Sequence, residues 1–94
     1  TILETGVSVG KDSLIAHGVV IHAGSRLGAG NVVNSSCIIG AAPFNYLKQH
    51  GQWQQGPAVG SVILADDVHL GANTVIDRGA LNDTYLAEGV CVDN

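Results

Sequence analysis

Ninety-four residues make one domain, and with 46% hydrophobic content but only one Trp, two Tyr and one Phe its interior must be aliphatic. Thirteen Gly and two Pro argue against long helices, and a net charge of −4 gives no electrostatic footprint for nucleic acid or an anionic membrane surface. No apolar run approaches the roughly 20 residues of a membrane span, and no signal peptide is visible.

From its first residues the chain is periodic. A large aliphatic residue returns every six positions at Leu3, Val9, Ile15, Ile21, Leu27, Val33 and Ile39. Four residues after each comes a compact side chain: Val7, Ser13, Val19, Ser25, Asn31, Cys37 and Pro43. Between the two stands Gly6, Asp12, Gly18, Gly24, Gly30, Ser36 or Ala42. A helix would need a period near 3.6 and a plain strand strict alternation. A period of six fits a short strand with two inward side chains and one outward, as in Val7-Ser8-Val9 and Val19-Val20-Ile21, followed by a corner. The corner residues include those that reach positive φ at least cost. Three hexads make one triangular turn, and successive turns stack through parallel ladders. The predicted fold is all-β, a left-handed parallel β-helix of about four turns, with the left-handed form taken from its resemblance to hexapeptide-repeat proteins.

At 41–62 the pattern breaks. This stretch holds both prolines and three of the four aromatics, Phe44, Tyr46 and Trp53, so it must leave the column as an excursion. Insertions in repeat proteins gather on one face, often the binding face. The excursion is expected either to plug its own solenoid wall or to form one wall of a substrate site.

The register resumes at Leu64, Leu70 and Ile76, slips by four residues around Asn82 to Tyr85, and continues at Leu86 and Val92. Cys37 falls at an inward position and Cys91 at an outward one, so both read as free thiols, and a cytoplasmic setting is expected. Both ends lie close to a hexad, so flanking parts of a longer solenoid protein are expected.

The run Gly71-Ala72-Asn73-Thr74-Val75-Ile76-Asp77-Arg78-Gly79-Ala80-Leu81-Asn82-Asp83-Thr84, followed by Val92-Asp93-Asn94, resembles the central repeat region of the UDP-3-O-acylglucosamine N-acyltransferases of lipid A synthesis. The aromatic excursion just before it is similar too. The resemblance implies a homotrimer with active sites between subunits. It implies transfer of a 3-hydroxyacyl group from the phosphopantetheine thioester of acyl carrier protein to the 2-amine of a UDP-linked acylglucosamine, with no other cofactor. A neutral His takes the amine proton in that family, from a motif after the Asp-Asn pair. The catalytic base is therefore expected beyond Asn94, with none in this chain. The substrate-binding candidates are Asp93, which matches a family residue beside the base, together with Arg78 and Asp77. Asp77 and Asp93 each follow an inward aliphatic, where Asp is also simply a good turn former. Arg78 suits either an ion pair between subunits or a substrate phosphate.

The four histidines admit a rival. His17 and His22 occupy places in consecutive hexads similar to the zinc-binding repeats of gamma-class carbonic anhydrase, but a catalytic zinc needs three protein ligands and only two stand here. His50 lies in the excursion and His69 at the outward middle of a strand. A third expectation is a non-catalytic solenoid that only trimerises.

Overall fold

The computed structural model describes residues 1–43, 46–56 and 58–94, and Phe44, Asn45 and Pro57 lie outside it. Among the described residues the chain is all-β. The strands are two to four residues long, β1 (Ile2–Leu3), β2 (Ser8–Val9), β3 (Leu14–Ile15), β4 (Val20–Ile21), β5 (Arg26–Leu27), β6 (Val32–Val33) and β7 (Ile38–Ala41). After these come β8 (Tyr46–Gln49), β9 (Gln52–Gln55), β10 (Val62–Leu64), β11 (His69–Leu70), β12 (Val75–Asp77), β13 (Thr84–Leu86) and β14 (Cys91–Val92).

Consecutive strands go to different sheets. The first sheet is β1-β4-β7-β12, the second β2-β5-β10-β13 and the third β3-β6-β11-β14, all parallel. Visiting three parallel sheets in rotation coils the chain into a triangular β-helix, four strands deep on each side. The register measures the coil. Ile2 pairs with Val20 and Val20 with Ile38, a step of 18 residues or three hexads. Arg26 pairs with Ile63, a step of 37, so the excursion adds nineteen residues to the third turn. Ile63 pairs with Tyr85, a step of 22, which is the four-residue slip expected near Asn82.

The corners explain the composition. Gly6, Asp12, Gly18, Gly24, Gly30 and Ser36 all have positive φ, one per hexad, and the pattern resumes at Asp67, Asn73 and Gly89. Each side of the prism can be only one short strand wide because the backbone is forced round at every sixth residue.

Inside stands a narrow column of Val19, Ile21, Leu27, Val33, Cys37, Ile39, Val62, Leu64, Val68 and Leu70, none more than 4% exposed. Val9, Ile15, Ile76, Leu86 and Val92 pack against it at partial burial. Leu3 departs from the uniformly buried column: β1 is an edge strand with a neighbour on one side only, and Leu3 is 53% exposed. A polar ladder runs within the column. Ser13 Oγ accepts from Asn31 N at 3.2 Å, Asn31 Oδ1 accepts from Val68 N at 2.7 Å, and Asn31 Nδ2 donates to Gly28 O at 3.1 Å. Buried backbone groups that the tight corner leaves unpaired are satisfied in this way.

The excursion carries its own hairpin, β8 paired antiparallel with β9 around His50 and Gly51, both at positive φ as a two-residue turn requires. Every residue from Tyr46 to Gln55 is exposed. The hairpin therefore does not plug the solenoid wall. Lys48 lies over the Trp53 ring, 6.0 Å from its centroid, on one hairpin face. No helix among the described residues is long and apolar enough to cross a membrane.

Candidate functional site

A triangular prism offers three edges, and the candidate side chains divide among them. The edge after the first sheet stacks Glu4, His22 and Gly40, because Leu3, Ile21 and Ile39 are in register one residue earlier, and Asp77 follows Ile76 onto the same edge, opposite Ala41. The edge after the third sheet stacks Ala16, Asn34, Gly71 and Asp93 by the same argument from Ile15, Val33, Leu70 and Val92. Asp77 and Arg78 therefore stand on one edge and Asp93 on another. The first sheet lies between the two edges, and a single chain does not bring the three residues together.

Asp93 is exposed and its Oδ1 accepts from the amide of its own neighbour, Asn94, at 2.8 Å. Below it, Thr74 Oγ1 donates to Gly71 O at 2.8 Å and reaches Asp93 O at 3.5 Å. Asp77 is exposed as well, and its carbonyl accepts from Thr84 Oγ1 at 2.7 Å, closing the four-residue slip.

Arg78 is used within the chain. Its Nε donates to Gly40 O at 2.9 Å, one Nη donates to Ala23 O at 3.0 Å, and its amide donates to Ala41 O at 2.9 Å. The register between β7 and β12 shifts here, since Ile76 faces Ile39 while Asp77 faces Ala41, leaving Gly40 as a bulge. The guanidinium thus clamps a bulge and the turn beneath it, and it points at carbonyls rather than at Asp77. Further down the same edge, Glu4 Oε1 accepts from Ala23 N at 3.0 Å and lies 3.1 Å from His22 Nδ1. The Ala23 bond, then His22 and finally the Arg78 charge hold the Glu4 carboxyl below its ordinary value. This clamp was not anticipated from the hexads. Its signal in the sequence is Pro43, which stands where neighbouring turns supply an N–H.

His17 is exposed on the third edge and His22 half-buried on the first, at opposite ends of β4, with His22 Nδ1 turned to Glu4. Among the described residues no three His, Cys, Asp or Glu side chains gather as a metal site. His50 caps the hairpin and His69 faces outward on β11.

No family model matches the chain. Individual proteins do. The chain is 36% identical over 99% of its length to a UDP-3-O-acylglucosamine N-acyltransferase of Paracidovorax citrulli, covering 28% of that protein. It is 42% identical over 90% of its length to the enzyme of that name from Janthinobacterium sp., covering 26% of it. It is also 42% identical over 81% of its length to the one from Coxiella burnetii, covering 22%. The similarity supports the resemblance carried by the Ile76 to Leu81 run. The chain spans about a quarter of the length of the curated relatives it matches.

Proposed function

We propose that the chain is the repeat segment of an N-acyltransferase that moves a 3-hydroxyacyl group from acyl carrier protein to the 2-amine of UDP-3-O-acylglucosamine. The observation that carries this reading is the 36–42% identity to enzymes of that name over 81–99% of the chain. The reaction balances without a cofactor beyond the donor's own phosphopantetheine. The amine attacks the thioester carbonyl, a C–N bond forms, and the C–S bond breaks. A general base takes the amine proton, and the departing thiolate takes one up. That base comes from outside residues 1–94 in this reading. Backbone N–H donors near the reacting carbonyl would stabilise the oxyanion.

The proposed assembly is a cyclic homotrimer of left-handed β-helices. Support comes from the outward side of the first sheet, where Ile2, Val20, Ile38 and Val75 form an unbroken aliphatic ladder, with Ile2 59% and Val75 54% exposed. The second sheet presents Ser8, Arg26, Ile63 and Tyr85 instead. That aliphatic face lies between the Asp93 edge and the Asp77 edge. Head-to-tail contact around a ring sets one edge of each copy against the other edge of the next. In the shared site Asp93 positions the base or the acyl donor. Asp77 and the outer N–H groups of Arg78, whose inner ones are held by carbonyls, receive the UDP-sugar. The excursion forms one wall. A cytoplasmic setting fits an acyl carrier protein donor.

The test is an acyl-transfer assay on the whole protein with a hydroxyacyl thioester of acyl carrier protein and UDP-3-O-acylglucosamine. Formation of the diacylated sugar is expected. No transfer, with zinc-dependent bicarbonate chemistry in its place, would overturn the reading and promote His17 and His22.

A further inference from the structure

We propose that the peptide joining Gly40 to Ala41 has two seats, an outward one held by Arg78 and an inward one prepared by the buried hydroxyl of Ser25. Along the first edge one corner bond recurs. There the carbonyl that follows the strand accepts from the amide three residues on, Glu4 O from Val7 N and His22 O from Ser25 N, each at 3.3 Å. In the third turn the equivalent of Val7 and Ser25 is Pro43, which has no N–H. Gly40 O loses its corner donor for a reason written in the sequence. Arg78 Nε takes it instead, at 2.9 Å.

A second rule concerns polar side chains at the compact inward position. They donate to the carbonyl at the start of a corner, in their own turn or the next. Asn31 Nδ2 and Ser13 Oγ both reach Gly28 O, at 3.1 and 3.2 Å. Thr74 Oγ1 and Cys37 Sγ both reach Gly71 O, at 2.8 and 3.0 Å. Thr84 Oγ1 reaches Asp77 O at 2.7 Å. For Ser25 the two equivalent acceptors are His22 O and Gly40 O. Yet Ser25 is fully buried and its Oγ has no hydrogen-bond partner, alone in this among the described residues. A buried hydroxyl without a partner carries a desolvation penalty, so this exception needs a cause.

The cause is the bulge. Gly40 sits at φ +88, and a Cβ there would stand 2.8 Å from Ser25 Oγ and 3.2 Å from His22 Cβ. Gly40 is thus packed against the orphan hydroxyl while its carbonyl is turned away to Arg78. Turning the peptide inward gives Ser25 its acceptor and releases the guanidinium. Turning it outward does the reverse. Glycine is the residue that permits both. Because Gly40 is followed by the excursion, the seat of its carbonyl sets the direction in which the chain leaves the prism. An anion that captures Arg78, such as the diphosphate of a nucleotide sugar, would shift the peptide inward and re-aim the excursion. That last consequence rests on the acyltransferase reading, whereas the two seats do not.

The test is a double-mutant cycle on the whole protein, read by thermal melting and needing no activity. In the wild type Ser25→Ala is expected to leave the midpoint unchanged or raise it, because the hydroxyl it removes has no partner. In an Arg78→Ala background the same change is expected to lower the midpoint by about 4 °C or more, because Gly40 O has by then turned to Ser25. A drop of equal size in both backgrounds, or no drop in either, would overturn the proposal. If Arg78→Ala does not fold, Arg78→Met, which keeps the aliphatic stem and removes every donor, takes its place in the cycle with the same expectations. In the wild type the Arg78 Nε–H should be protected from hydrogen exchange, and exchange at the rate of a free arginine would overturn the outward seat.

Discussion

Replacing Asn31 by Ala removes the middle rung of the polar ladder inside the column. Asn31 is completely buried, and so is Val68, whose amide donates to Asn31 Oδ1 at 2.7 Å. The substitution leaves that amide without an acceptor, a loss of about 1–3 kcal/mol. Gly28 O suffers less, since Ser13 Oγ still donates to it at 3.2 Å. Adding a small void for the missing amide group, the expected destabilisation is about 2–3 kcal/mol, which for a domain of this length lowers the melting midpoint by about 10–20 °C. Asn31→Asp separates the parts of that loss. It keeps the acceptor for Val68 but sets a buried carboxylate against Gly28 O, so it should be destabilised at neutral pH and recover as acid protonates it. Urea unfolding gives the global number, and hydrogen exchange at the Val68 amide gives the local one. An Asn31→Ala protein within about 0.5 kcal/mol of wild type, with Val68 still protected, would show that the ladder is not what satisfies the corner.

Ile21→Asp puts a charge where exposure is 0%, and it should abolish cooperative unfolding of the neighbouring turns as followed by circular dichroism; native-like melting would mean the inward register is misassigned. The Ala23 amide and His22 hold the folded-state Glu4 carboxyl below its ordinary value, so its contribution is present above its unfolded pKa and lost as pH falls through the lower, folded value. Glu4→Gln should accordingly flatten the acid side of the stability profile and leave its slope at neutral pH unchanged. An identical acid limb would assign the loss to other carboxylates. Asp93→Ala should lower acyl transfer by the whole protein at least tenfold while its melting midpoint stays put, because the one local bond it breaks, to the Asn94 amide, is exposed; unchanged activity would make Asp93 a turn residue only.

The hexads made most of the solenoid legible. Leu27, Val33 and Ile39 are buried where their period places them, and the four-residue slip falls before Tyr85 as the register requires. Ser36, Asp12 and Asn73 turn corners at positive φ because a short polar side chain tolerates the left-handed region when the next turn packs beneath it. The Gly40 bulge was not legible from periodicity. It arises from a donor that Pro43 lacks, in a turn where the chain is also leaving the prism, and its compensation comes from Arg78 one turn further on. The edge on which a charged residue stands was readable in principle, by counting hexads modulo three. That count puts Asp77 and Asp93 on different edges, which is why the proposed site takes them from two copies.

The most direct measurement is complementation between two defective proteins, Asp77→Ala and Asp93→Ala, unfolded together, refolded as mixed oligomers and assayed for acyl transfer. Each alone should be strongly impaired, since every site would lack one of the two carboxylates. In a random mixture about one site in four receives its Asp93 and its Asp77 from the two intact sources, so activity should return to about a quarter of the wild-type level. A mixture no more active than its components would contradict a site shared between edges of neighbouring copies.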